Sequence, residues 1–166
     1  MKTKRLAELA LLTAIALIIF IIELRIPNLV PIPGVKLGLA NIVTVYAVYK
    51  YSAKEVAMVV FSRVLLGSIF GGNISAIIYS MAGAVMCLIG MLAVKRLVPV
   101  SFIWLSSIIG AILHNTGQII VAIIIMRSFV VIYHYPYLII SGCIAGAFTG
   151  ICAQIMIKRG LKGKSS

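Results

Sequence analysis

The run SFIWLSSIIGAILHNTGQIIVAIIIM, residues 101–126, decides the fold class of this chain. It contains no acidic residue, lysine or arginine, and it is longer than the roughly 20 residues that a helix needs to cross a bilayer. Hydrophobic residues make up 63% of the chain and charged residues only 11%, too little charge to cover a water-soluble domain. We therefore predict an all-α membrane protein, with one integral membrane domain over residues 1–166.

Five further apolar runs extend the pattern and predict a compact bundle of six transmembrane helices with short connections. The second run is short and the third contains Arg63, so four spans are the alternative. The first run is too long for a typical signal-peptide core, and no small-x-small cleavage site follows it, so we expect it to be retained. The six predicted spans are 6–24, 37–49, 56–70, 74–94, 101–126 and 137–157.

Basic residues lie at the ends of the apolar runs and predict the orientation. With six spans and a cytoplasmic N-terminus, three of them, Arg25, Lys36 and Arg127, lie outside. The positive-inside rule favours this arrangement, which places both termini in the cytoplasm of a multi-pass protein of the cell membrane. The net charge of +12 thus indicates topology and contact with anionic lipids instead of nucleic acid binding. Eleven basic residues are predicted to be cytoplasmic: Lys2, Lys4, Arg5, Lys50, Lys54, Lys95, Arg96, Lys158, Arg159, Lys162 and Lys164.

The segment RIPNLVPIPGV, residues 25–35, is the least regular part of the chain. Its three prolines remove backbone donors and restrict the residues before them, which excludes a helix. We expect an ordered outer loop after helix one that dips over the bundle. A plain surface connector is the alternative.

Polar residues inside the apolar runs are candidates for a site, because each is costly in lipid. Arg63 lies in the middle of the third run, and Glu23 is the only acidic residue placed to pair with it there. The guanidinium predicts either a structural pair with Glu23 or an anionic ligand. In the fifth run, His114, Asn115 and Gln118 place three hydrogen-bonding side chains within five residues. They predict ligand contact, with hydrogen bonding between helices as the alternative.

An outward-facing pocket is the predicted arrangement of these groups. Lys36 and Asn41 flank the start of the second run, and Gly71, Gly72 and Asn73 form the outer turn between the third and fourth runs. Because basic side chains dominate it, the pocket favours a small anionic substrate. The predicted substrate-binding residues are Lys36, Asn41, Arg63, His114, Asn115 and Gln118.

The residues available for catalysis are few. The chain contains no aspartate, and its only acidic residues are Glu8, Glu23 and Glu55. Magnesium-dependent chemistry on prenyl diphosphates usually needs clusters of carboxylates, because hard cations take several oxygen ligands. No phosphate-binding loop and no metal-type cysteine spacing is present. We therefore predict a protein that is not an enzyme and that requires no metal or cofactor.

Small residues recur at helical spacing in two of the runs. Gly142, Gly146 and Gly150 lie at intervals of four, which predicts a face on which another helix packs closely. Ala10 and Ala14 form a small-xxx-small pair on helix one. For this pair, packing inside the bundle and docking of a membrane partner are the two alternatives.

Three features of the sequence resemble one family, called Gx transporter or heptaprenyl diphosphate synthase component I. They are PIPGVKLGLAN at 31–41, Arg63 with Gly67 and Gly71, and HNTGQ at 114–118. The resemblance covers nearly the whole chain. The family is similar in size and six-helix layout to the substrate-binding S components of energy-coupling factor (ECF) transporters.

The resemblance implies roles for two further parts of the chain. In S components, a small-xxx-small motif on helix one docks a transmembrane coupling subunit, and two ATPases drive the cycle. Ala10 and Ala14 match that motif. The loop after helix one caps the substrate in those proteins, which would fit residues 25–35.

We therefore predict an S-component-like subunit of an ECF importer, which binds a small anionic vitamin or an isoprenoid or quinone precursor. Its predicted partners are the substrate, the lipid bilayer, a coupling subunit and ATPases, without nucleic acid. The alternative is a non-catalytic membrane accessory of a heptaprenyl diphosphate synthase or of menaquinone biosynthesis. A stand-alone channel or carrier is less favoured, because one short chain offers little material for two gates and no inverted repeat is evident.

Overall fold

The computed structural model describes residues 3–25, 38–72 and 76–162. Over these residues the chain is entirely helical, as the apolar runs predict, and it contains six α-helices and two short 3₁₀ helices. The 3₁₀ helices, Val100–Phe102 and Phe129–His134, precede the last two α-helices. The α-helices are α1 (Thr3–Leu24), α2 (Asn41–Lys50), α3 (Ala53–Phe70), α4 (Ala76–Val94), α5 (Ile103–Met126) and α6 (Tyr135–Lys162).

Four of these helices, α1, α4, α5 and α6, are long and apolar enough to cross a membrane. The length and composition of these helices indicate a multi-pass membrane protein. The ten residues of α2 give a length of about 15 Å, against a hydrocarbon thickness of about 30 Å. Helix α3 has 18 residues but carries Arg63. Six helices are thus confirmed, whereas six full spans and the cytoplasmic position of both termini stay predictions.

The second helix begins later than the predicted residue 37. Gly38 has a φ of +80°, in the left-handed region that favours glycine. The backbone N–H of Asn41 donates to the carbonyl of Gly38 at 2.9 Å, and this turn starts α2. The apolar pattern does not reveal this break, because Leu39 and Ala40 continue the hydrophobic run up to the polar Asn41.

Close backbone contact between α5 and α6 confirms the glycine face predicted for the last helix. A methyl group on Gly146 would lie 2.8 Å from Cα of Ile108, and one on Gly150 would lie 2.5 Å from Cα of Trp104. Between them, the hydroxyls of Ser107 and Thr149 are hydrogen-bonded at 3.0 Å. These contacts make α5 and α6 a rigid base for the polar side chains of α5.

Helix α1 is attached more loosely than α4, α5 and α6. Buried residues make up 17% of its apolar span, against 39% in each of the other three. Near its N-terminus, Arg5 forms a bidentate ion pair with Glu55 of α3 at 2.8 and 3.0 Å. One turn further, Glu8 accepts a hydrogen bond from the hydroxyl of Tyr51 at 3.1 Å. Polar contacts therefore join the N-terminal end of α1 to α3 and to the residue Tyr51 that precedes it.

Candidate functional site

The candidate site lies where α2 begins. Gly38, Ala40 and Asn41, at the start of this helix, line a cavity together with side chains of α1, α3, α4 and α5. The first turn of a helix has N–H groups without partners inside the helix, and they carry a partial positive charge. The N–H groups of Asn41 and Ile42 donate to the carbonyls of Gly38 and Leu39. The start of α2 therefore contributes a field that favours an anionic group, and the N–H of Gly38, just before the helix, is a backbone donor beside the cavity.

The guanidinium of Arg63 adds a full positive charge to this cavity. Arg63 is only 6% exposed. Its Nη1 and Nη2 atoms both lie 3.4 Å from Oδ1 of Asn41, longer than the roughly 2.7–2.9 Å of a strong charge-assisted hydrogen bond. Among the described residues, its Nε atom has no hydrogen-bond partner. The buried charge thus has spare hydrogen-bonding capacity directed at the cavity.

Glu23, near the end of α1, contributes a buried carboxylate to the same cavity and is 4% exposed. Its Oε1 atom accepts a hydrogen bond from the backbone N–H of Gly38. Within the described part of the chain, Arg5 and Glu55 form an ion pair, with Nε and Oε1 2.8 Å apart. In the same part, Glu23 and Arg63 do not come within ion-pair distance of each other. Glu23 therefore occupies a backbone donor that lies just before α2, beside the cavity.

His114 and Gln118 of α5 line the cavity from the opposite side, one turn apart. They are 8% and 1% exposed. A methyl group on Gly83 of α4 would lie 3.0 Å from Nδ1 of His114, so the absence of a side chain at Gly83 makes room for the imidazole ring. In the described structure this Nδ1 atom has no hydrogen-bond partner. His114 thus packs its imidazole ring against Gly83 of α4 at the wall of the cavity.

The structure brings together four of the six residues predicted to bind substrate: Asn41, Arg63, His114 and Gln118. The cavity that they share with Glu23 has a volume of about 20 Å³, enough for about one water molecule. In this conformation it accommodates a small polar group and no larger molecule. Lys36 and most of the predicted loop 25–35 lie outside the described residues.

Asn115 is directed away from this cavity. Its Nδ2 atom donates to the backbone carbonyl of Leu138 on α6 at 2.7 Å. A methyl group on Gly142 would lie 2.7 Å from the same atom, so the glycine face of α6 also provides space for this amide. Asn115 therefore forms a hydrogen bond between helices, which is the alternative to ligand contact for the polar cluster of α5.

The Asn115→Ala variant is expected to lose about 1 kcal/mol of stability, because one hydrogen bond between helices is removed. Ligand binding should be unchanged, since the side chain does not line the cavity. Thermal unfolding in lipid nanodiscs, with and without ligand, measures both quantities. Loss of binding at unchanged stability would instead place Asn115 in the site.

Sequence reasoning missed two contributors to the cavity. Ser80 lines it from α4 and is 7% exposed, but a lone serine in an apolar helix gives no periodic signal. The other is the backbone N–H of Gly38, which depends on the φ of that residue and has no side-chain signature. The acidic residue Glu23 was the available signal, since a buried carboxylate requires a donor nearby.

A separate apolar groove lies between α1 and α3, with a volume of about 420 Å³. Ala10 and Ala14 both line this groove and are exposed. On the opposite wall, Met58 and Leu66 of α3 are also exposed. The two alanines therefore have accessible surface beside a groove, and no helix of the described chain covers them.

Fold and cavity together define a helical membrane protein with a buried polar site whose walls are one guanidinium, one carboxylate, one imidazole and two amides. The family model for heptaprenyl diphosphate synthase component I matches residues 12–156. The chain therefore belongs to that family, as the three features of the sequence indicate. No curated protein and no solved structure matches the chain.

Proposed function

We propose that this protein is the substrate-binding membrane subunit of an importer, similar to the S components of ECF transporters. The observation that carries the proposal is Arg63, a nearly fully buried guanidinium with long contacts and one nitrogen without a partner. A buried charge is costly unless it serves a partner. An anionic group of the substrate would supply that partner, beside the start of α2.

Substrate capture requires the cavity to enlarge from about 20 Å³. Glu23 offers a route, because its carboxylate holds the N–H of Gly38 and belongs to α1, the least buried of the four long apolar helices. An incoming anion would replace Glu23 at Gly38 and also contact Arg63. Displacement of Glu23 would free the end of α1 and open the cavity.

Anion binding tests the proposal. We expect small organic phosphates and carboxylates to raise the unfolding temperature of the chain in nanodiscs, and we expect His114→Ala and Gln118→Ala to reduce that shift. Thr116→Val is the matched control, because Thr116 lies on the same helix and bonds to Tyr135 and to the carbonyl of Ile112. An unchanged shift in both site variants would contradict the proposal.

The groove between α1 and α3 is the proposed docking surface for a coupling subunit. Replacing Ala10 or Ala14 by leucine is expected to fill the groove and to reduce co-purification of a membrane partner at least tenfold, because helices approach closely only over small residues. Ala7→Leu is the control, since Ala7 is exposed on the same helix outside the groove. Equal recovery of the partner by all three variants would rule out this surface.

A membrane accessory of a prenyl diphosphate synthase is the second candidate. The family description supports it directly, and "component I" describes a subunit, which supports a non-catalytic role for this chain. The partner distinguishes the two candidates. Co-purification with a soluble prenyl synthase supports the accessory, whereas co-purification with a coupling subunit and ATPases supports the importer.

A further inference from the structure

We propose that the ligand of this cavity is a single-chain amphiphile, whose anionic head binds at Arg63 and whose hydrocarbon chain leaves the bundle between α2 and α6. This inference rests on the proposed anion site and names its substrate class. It follows from the position of an apolar groove on the lipid-facing side of α6 and from the small residues that separate this groove from the polar cavity.

The lipid-facing groove has a volume of about 380 Å³. Leu39, directly after Gly38, forms one wall, and the outer surface of α6 forms the other with Tyr137, Ile140, Ile144 and Phe148. The four side chains of α6 are between 47% and 67% exposed. An apolar cavity of about 150 Å³ is enough for benzene, so this groove holds a chain of about ten carbons.

A third, smaller space lies next to both the groove and the polar cavity. This narrow gap of about 10 Å³ shares residues with both spaces. It is lined by Gly38 and Asn41, by Ala145 and Gly146 of α6, and more deeply by side chains of α2, α4 and α5 that include Val45, Cys87 and Met91. Gly38 and Asn41 also line the polar cavity, and Ala145 also lines the groove. At the shared part of the gap, Gly38 and Ala145 have no side chain beyond a methyl group. A small displacement of the start of α2 would therefore join the two spaces.

An amphiphile fits this arrangement better than a water-soluble anion. Its chain would pass from the bilayer to the groove without contacting water, so entry from the side exposes no apolar surface. Its head would exchange the lipid–water interface for the guanidinium of Arg63 and for the N–H of Gly38 that Glu23 now occupies. A solute without a chain would not use the groove, although Leu39 in the groove wall lies directly between Gly38 and Ala40 in the wall of the polar cavity.

Binding of decyl phosphate tests the inference. We expect radiolabelled decyl phosphate to bind saturably to nanodiscs that contain the protein, relative to empty nanodiscs, and about tenfold more tightly than inorganic phosphate. Arg63→Gln should weaken its binding at least tenfold, because a charge-assisted contact is removed. Decanol, which lacks the charge, should compete weakly.

Blocking the groove separates the chain from the head. Ile144→Trp is expected to weaken decyl phosphate binding about tenfold and to leave inorganic phosphate binding unchanged. Ile151→Trp is the control, because Ile151 is exposed on the same helix outside the groove. Ser141→Phe, also in the groove, is a second blocking variant should tryptophan impair folding.

Three results would overturn the inference. If inorganic phosphate and decyl phosphate bind equally tightly and Ile144→Trp affects neither, the anion site is supported but the ligand is not an amphiphile. Phosphatidic acid binding as tightly as decyl phosphate identifies a membrane lipid instead of a single-chain ligand. If no anion binds, the result contradicts both this inference and the proposed function.

Discussion

The Glu23→Gln/Arg63→Met double variant is expected to bind no anion and to be more stable than the wild-type protein by about 1–4 kcal/mol. Replacing buried charges by uncharged groups of similar size removes their desolvation cost. Arg63 interacts electrostatically with Glu23 without a direct contact, so the charges share an environment but lack the geometry that would offset this cost. Thermal unfolding in nanodiscs measures the stability, and the thermal shift with phosphate measures the binding.

The single variants complete this comparison as a double-mutant cycle. Arg63→Met alone should lower the free energy of unfolding by about 3 kcal/mol, because it leaves Glu23 as an uncompensated buried charge. Arg63→Lys keeps the charge but not the planar guanidinium, so it should retain stability better than methionine does. A double variant less stable than both single variants would show that Arg63 serves the fold and not a ligand.

Replacing Gly150 by leucine is expected to lower the free energy of unfolding by about 3 kcal/mol, because the new side chain would clash with the backbone of α5. A methyl group alone at this position would lie 2.5 Å from Cα of Trp104 and 2.7 Å from Cβ of Ser107. These neighbours are backbone and a short side chain, which have little freedom to move. Thermal unfolding of the purified chain measures the effect.

Gly160→Ala is the matched control on the same helix. No described residue comes within 4 Å of a methyl group at this position, and alanine favours a helix over glycine by about 1 kcal/mol. We expect this variant to be as stable as the wild-type protein or slightly more so. If Gly150→Leu unfolds at the same temperature as Gly160→Ala, then α5 and α6 do not pack through that glycine.

Much of the fold is predictable because lipid restricts the choices. Backbone groups in hydrocarbon must be hydrogen-bonded within the chain, so a long apolar run becomes a helix whatever its side chains. The runs at 101–126 and 137–157 correspond to α5 and α6, although α6 begins at Tyr135. The short α2 was less predictable, since its start depends on the backbone of Gly38, where the apolar pattern is continuous.

The candidate site was predictable where side chains share a helix face. His114 and Gln118 are four residues apart and meet at one cavity, whereas Asn115 is rotated by about 100° and reaches α6. Contacts between distant segments were not predictable in this way. Glu23 was the evident acidic partner for Arg63, yet a backbone N–H that carries no sequence signal takes its hydrogen bond.

The loose attachment of α1 has a consequence for how the protein is made. Helix α1 is synthesised before α3, and the partner of Arg5 is fifty residues further along the chain. Until α3 is present, lipid can solvate the many exposed apolar side chains of α1. Each apolar helix is stable on its own in a bilayer, so association can follow insertion. The ion pair between Arg5 and Glu55 can therefore form only after α3 has been synthesised.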